Sequence, residues 1–273
     1  MRIGVDLGGT NVRVGLVDSG KIISIKTEPC KALESEDIVV DHICKMITAQ
    51  MNDDVDYIGI GVPSIVDAQQ GIVYNAANIP SWKKVHLKAI IEKRFNLPVA
   101  VNNDCNYFAL GVCAFGEGME FDNVVCVALG TGVGAGIILN KRLYMGSNTG
   151  AGEIGEINYL DSNIENYCSS QFFVNHGTTG YEAYMKAKQG DAEMLQLWSD
   201  FGGHVGSMMM SILYVYDPEA IVIGGSIAQA YDLYSESMYE KLKEFPYPVC
   251  VDKFKILVSK IENISLLGST VEI

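Results

Sequence analysis

Asp6-Leu7-Gly8-Gly9-Thr10-Asn11 places a carboxylate, two glycines and two polar side chains within six positions. Glycine lets backbone N–H groups approach an anion with no Cβ in the way, and a neighbouring hydroxyl adds one more donor. That is the chemistry of a polyphosphate cradle, and Asp6 beside it could hold Mg2+ through water. Leu129-Gly130-Thr131-Gly132-Val133-Gly134 offers a second cradle without the acid. Gly224-Gly225, after an apolar run, offers a backbone turn against a flat ligand such as adenosine. Taken singly, each loop reads as readily as a tight turn. Three of them, at the ends of the first, middle and last strands, are harder to dismiss. The pattern is not a P-loop, because no GxxxxGK[ST] occurs, and the first strand-turn carries no GxGxxG opening.

The elements that must position these loops follow from periodicity. Residues 3–7, 11–18 and 21–26 alternate as strands, and the Gly8-Gly9-Thr10 turn makes the first two a hairpin. Helical spacing of apolar residues covers 35–51, with Ser35 at its N-cap, and 85–95. Strands are expected at 57–62 and 98–101, and a helix at 104–115 that starts from Asn102-Asn103-Asp104. The first part of the chain is therefore a β-β-β-α-β-α-β-α lobe. The pattern then restarts: strands at 123–129 and 135–139 flank a glycine turn as 3–18 does, a weak repeat on the scale of half the molecule. Helices follow at 183–188, 191–216 and 231–245, with a further one starting near Ala228, and strands at 220–223 and 254–259. This predicts a small N-terminal lobe over 1–115 on the sugar and phosphate side. A large C-terminal lobe over 116–273 lies on the nucleotide side, with the two abutting along a ligand cleft.

Composition bounds the partners. The chain has 33 acidic and 20 basic residues, a net charge of −13, which repels phosphate backbones and anionic lipids but also serves plain solubility. Neither nucleic acid nor a membrane is expected as a partner. The opening residues show no basic and apolar leader, and the apolar run 124–139 contains four glycines and is short for a bilayer span. The seven cysteines are scattered with no CxxC pair, as in a reducing compartment. A cytoplasmic protein is expected.

In order along the chain, Asp6-Leu7-Gly8-Gly9-Thr10-Asn11, Asn102-Asn103-Asp104, Leu129-Gly130-Thr131-Gly132-Val133-Gly134 and Gly150-Ala151-Gly152-Glu153-Ile154-Gly155 resemble the ROK family. Asp217-Pro218-Glu219-Ala220-Ile221-Val222-Ile223-Gly224-Gly225 looks like its adenosine-side motif. That family groups bacterial sugar kinases with related repressors on the two-lobed, actin/hexokinase-like (ribonuclease H-like) α/β fold. The resemblance implies an ATP- and Mg2+-dependent kinase that phosphorylates a hexose, at the 6-hydroxyl, with lobe closure excluding water. It places Asp104 on the catalytic aspartate, whose alternative reading is a helix N-cap. Asn78, Asn103 and Glu153 fall on hydroxyl contacts, Gly8 to Asn11, Gly130 to Gly132 and Gly224-Gly225 on the nucleotide side, and a homodimer is implied.

The departures bear on the sugar. The family pattern has a histidine where this chain has Glu156, followed by a zinc segment of which only Cys168 is left. One cysteine and a distant His176 cannot build a tetrahedral site, so no structural zinc is expected. The family's second sugar-binding glutamate falls near Ser170, and Glu156 is a candidate to take over a hydroxyl. Ser64 stands where the family has glycine, and its role is open. His204 reads as a core residue of its helix. Glucose, allose, mannose and an N-acetylated hexosamine all remain as acceptors. The competing reading is a non-catalytic, sugar-sensing regulator, against which the retention of Asp104 argues.

Overall fold

The structure, a computed structural model, describes residues 1–76 and 78–272. The chain divides into two compact units. The first comprises residues 1–119, 142–151 and 261–273, and the second 120–141 and 152–260.

In the first unit β1 (Arg2–Leu7), β2 (Asn11–Asp18) and β3 (Lys21–Pro29) form an antiparallel meander. After α1 (Glu36–Gln50), β4 (Tyr57–Val62) adds parallel to β1. Ser35 is the N-cap residue of α1, although its side chain makes no capping bond. Three short strands, β5 (Ile65–Asp67), β6 (Ile72–Tyr74) and β7 (Lys84–Val85), make a small antiparallel sheet that periodicity did not reveal. Beyond α2 (Leu87–Phe95), β8 (Val99–Asn103) pairs parallel with β4 and runs straight into α3 (Asp104–Phe115). The central strands are buried on both faces, which is why they read as continuous apolar runs.

The second unit opens with the hairpin β9 (Val124–Leu129) and β10 (Val133–Leu139). The segment 142–151, with β11 (Arg142–Leu143), belongs to the first unit. Back in the second come a miniature hairpin of β12 (Asn158–Tyr159) and β13 (Ser162–Asn163) and two short helices, α4 (Ile164–Cys168) and α5 (Ser170–Asn175). Then follow α6 (Gly180–Lys188) and the 25-residue α7 (Ala192–Tyr216). β14 (Ala220–Gly224) pairs parallel with β9 on one side and with β15 (Lys255–Val258) on the other, after α8 (Tyr231–Leu242) and α9 (Pro248–Lys253). Where a helix near Ala228 was expected, a 3-10 turn over Ser226–Ala230 leads into α8. Trp198, Phe201, Phe173 and Tyr234 fill the core of this unit.

The contiguous division at 115/116 is corrected by the last helix, α10 (Ile264–Ser269), which returns to the first unit. A Cβ on Gly59 would lie 1.7 Å from the Ser269 carbonyl oxygen, and one on Gly111 2.1 Å from that of Ile264. These glycines let β4 and α3 meet the α10 backbone, a packing no local pattern reveals. Among the described residues, no helix is long and apolar enough to cross a membrane.

Candidate active site

The first unit gathers its chemistry at the carboxyl ends of three parallel strands. In register, Asp6 of β1 lies opposite Gly61 of β4, and Gly61 opposite Asn102 of β8. Asn103 is the N-cap of α3: its backbone is extended and its Oδ1 accepts the Cys105 N–H at 2.8 Å. The N-cap position is thereby taken by Asn103 and not by Asp104, which was the alternative reading of that acid. The Asp104 carboxylate also accepts from the Cys105 N–H, at 2.9 Å. Asn102, 1% exposed, accepts the Asn103 N–H (2.8 Å) and the Asn106 amide (2.9 Å) on Oδ1. Asn103 Nδ2 donates to the Ser64 carbonyl at 3.1 Å, and the Ser64 hydroxyl donates to the Tyr74 carbonyl at 2.6 Å. The side chain at position 64 thus ties the turn between β4 and β5 to β6, and Asn103 makes hydrogen bonds from both ends of its amide.

Electrostatics single out Asp104. Burial raises its pKa, and repulsion from Asp6 adds to that, to about 6. Asp6 is itself pushed up, because burial outweighs the Arg13 guanidinium that donates to it at 3.0 Å. Two carboxylates that repel each other share one end of the sheet, with the Arg13 guanidinium beside Asp6. A carboxylate whose pKa approaches neutrality is suited to take a proton from a hydroxyl, and a pair of acids in need of positive charge suits a cation. Mg2+ is held through one or two carboxylates with the rest of its shell from water and phosphate, so this pair of acids fits it.

The Gly8 N–H closes the first turn on the Asn11 carbonyl at 2.9 Å. A Cβ on Gly9 would meet the Asn78 side chain at 2.8 Å, so the turn and Asn78 are in direct contact. Gly9, Thr10 and Asn78 form one wall of a cavity of about 740 Å³. In this unit the structure therefore brings Asp6, the 8–11 turn, Asn78, Asn103 and Asp104 to one end of the sheet.

In the second unit the register of Gly224 opposite Ala128 brings the second and third glycine turns side by side. Gly225 has φ +86°, and a Cβ there would lie 2.2 Å from the Leu129 carbonyl oxygen. Gly130 is different: nothing lies within 3.7 Å of where its Cβ would be. Of the Gly150–Gly155 stretch, the part from Gly152, which belongs to this unit, folds onto β10. The Ala135 N–H donates to the Gly152 carbonyl at 3.0 Å, and a Cβ on Gly155 would meet the Val133 carbonyl oxygen at 2.4 Å. Glu153 and Glu156, both exposed, are held on that segment, and Asn163 Nδ2 donates to Glu156 Oε2 at 3.3 Å.

Sequence reading missed Glu165. Its Oε2 accepts the Val133 N–H at 2.9 Å and would lie 2.5 Å from a Cβ on Gly132, so a carboxylate lies against the 130–132 turn. It follows the N-cap Asn163 by two positions, where an acid looks like ordinary compensation of the helix dipole. Ser170, where a lost carboxylate was expected, instead donates its N–H to the Gly130 carbonyl at 2.8 Å.

The residues around Cys168 do not fit a zinc ion. Its thiol is fully buried in the apolar core and burial pushes its pKa far up, away from the thiolate a metal needs. His176 Nδ1 lies 2.8 Å from the Phe172 carbonyl oxygen. Among the described residues, no three His, Cys, Asp or Glu side chains converge as metal ligands.

The ROK family model matches residues 2–268. A glucokinase of Thermotoga maritima is 27% identical, over 98% of this chain and 95% of its own. A xylose repressor of Bacillus subtilis is 28% identical, over 97% of this chain and 75% of its own. The crystal structure of a ROK family glucokinase from Streptomyces griseus, in complex with glucose and AMPPNP, superposes with a TM-score of 0.83 at 27% identity, covering 98% of this chain and 97% of that one. The fold is that of the actin/hexokinase-like sugar kinases. With one family model spanning the glycine turns, the Asp104 strand end and the 150–155 stretch alike, the chain belongs to the ROK family.

Proposed function

We propose that this protein is an ATP-dependent sugar kinase that transfers a phosphoryl group to a hexose hydroxyl, O6 in the first instance, with Asp104 as the base. One observation carries the reading: at the β8–α3 junction, next to the N-cap Asn103, a carboxylate has its pKa lifted to about 6 by burial and by Asp6. Phosphoryl transfer asks the protein mainly to position the acceptor and screen charge. Asp104 takes the hydroxyl proton as the oxygen attacks, and Asn78, Asn103, Glu153 and Glu156 exchange hydrogen bonds with the remaining hydroxyls. Backbone N–H groups of Gly8 to Asn11 and of Gly130 to Gly132 hold the phosphates, and Gly224-Gly225 backs the adenosine. Asp6 would hold Mg2+ through water, and the ion would supply positive charge against the phosphates.

The likeness to a xylose repressor over 97% of the chain supports a second reading, a sugar sensor without turnover. Release of ADP from ATP and Mg2+ across glucose, allose, mannose and N-acetylated hexosamines separates the two. Turnover that depends on one of these sugars is expected. Sugar binding with no turnover selects the sensor, and ATP turnover indifferent to sugar refutes both.

A further inference from the structure

Residues 154–168 carry Glu156 and Glu165 on a 3-10 turn, a hairpin of two-residue strands and a five-residue helix. Elements this short do not hold their place alone. Part of what holds them is internal. The Ile164 N–H donates to the Ile157 carbonyl at 2.9 Å, and Asn163 both caps α4 and donates to Glu156. Ile154, Ile164 and Cys168 are buried in the core of the unit, Glu165 accepts the Val133 N–H, and the two tyrosines of the segment meet one imidazole. The Tyr159 hydroxyl lies 3.1 Å from His204 Nδ1, and the Tyr167 ring is 4.8 Å from the His204 ring. The two tyrosines also meet edge to face at 5.3 Å. His204 stands near the middle of α7, the longest helix of the unit, so the support is rigid.

We infer that the Tyr159–His204 hydrogen bond, buttressed by Tyr167, is a staple that positions the 154–168 segment and hence the acceptor contact made by Glu156. His204 is thus a positioning residue rather than a base. The part concerning the acceptor rests on the kinase reading. The hydroxyl donates, and the imidazole accepts on Nδ1 with its proton on Nε2. Half-burial lowers the His204 pKa, which keeps the ring neutral and an acceptor. Phe172 packs on the same ring at 5.6 Å. The staple is all protein: the segment is anchored by a tyrosine hydroxyl and an imidazole where Cys168 offers no metal ligand.

The test compares the wild type with Tyr159→Phe, which removes one oxygen, His204→Leu, which removes the acceptor, and His204→Asn, whose amide oxygen can replace Nδ1. Amide hydrogen exchange over 156–168 is read alongside KM and kcat for the best hexose and KM for ATP. Expected for Tyr159→Phe and His204→Leu are faster exchange confined to 156–168 and a sugar KM raised about 2- to 10-fold, the scale of one hydrogen bond. With kcat and the ATP KM within about 2-fold and His204→Asn partly restoring both readouts, the KM–kcat split marks positioning. Unchanged exchange in Tyr159→Phe and His204→Leu overturns the staple. Faster exchange with an unchanged sugar KM, or with sugar and ATP KM rising together, overturns the positioning role. A wild type that turns over no hexose refutes the kinase reading and the acceptor role with it, while the exchange result still decides the staple.

Discussion

Replacing Asp104 by Asn should cut catalysis by orders of magnitude and make the protein more stable at neutral pH. The folded-state pKa of about 6 lies above the ordinary 3.8. At about 1.4 kcal/mol per pH unit, holding this carboxylate ionised costs the folded state up to about 3 kcal/mol. Between pH 4 and 6 the folded state binds more protons than the unfolded one, so this contribution to stability falls as pH rises and is flat above 6. The amide of Asn is nearly the same size, and its oxygen can still accept the Cys105 N–H. The variant therefore loses the charge but not the geometry. Its stability relative to wild type should be near zero at pH 4 and up to about 3 kcal/mol at pH 7, which for a chain of this size is roughly 2–4 °C of melting temperature per kcal/mol. Turnover should fall about 10²- to 10⁴-fold, the range for a positioned base. In the wild type, kcat/KM should fall on the acid side of about pH 6. Thermal melts from pH 4 to 8, paired with ADP release, read both effects. A variant no more stable at pH 7 than wild type refutes the electrostatic account, and one retaining a tenth of the activity refutes the base.

Gly130→Ala and Gly225→Ala should separate ligand approach from folding. The first meets nothing within 3.7 Å, so its melting temperature should stay within about 1 °C while KM for ATP rises about 10-fold or more; the second, with φ +86° and the Leu129 carbonyl 2.2 Å away, should cost at least about 1–3 kcal/mol of stability. Chelation with EDTA should stop turnover, with recovery on adding Mg2+, and leave the melting temperature unchanged; a fall in melting temperature that zinc restores would contradict the reading of Cys168.

Sequence periodicity placed the strands 11–18 and 57–62 and the helix 104–115 at their observed bounds, because each is a mainly apolar segment bounded by glycine, proline or a capping residue. It missed α10 and the small sheet of β5 to β7 because segments of two to six residues carry too few positions to show a period. The Asp104 end of the site was legible, since the Asn102-Asn103-Asp104 run holds both the cap and the acid. Glu165 and the Tyr159–His204 staple were not. A glutamate in a helix's first turn and a histidine on an apolar face are each fully explained locally, and only the fold brings them to Gly132 and to the miniature hairpin.

The three glycine turns looked alike as sequence, yet the fold assigns them different reasons for glycine. At Gly225 the protein itself demands it, through a positive φ and a carbonyl where a Cβ would stand. At Gly9 the demand comes from Asn78, and at Gly132 from Glu165, so in both places the missing Cβ makes room for a polar side chain of the site. At Gly130 neither backbone angle nor neighbour requires glycine. A position the fold leaves open, in a turn that also carries a threonine hydroxyl, is one where an outside group explains the residue. The proposed phosphate-binding role therefore rests more firmly on Gly130 than on Gly225, whose glycine would be needed in a protein of this fold that bound nothing.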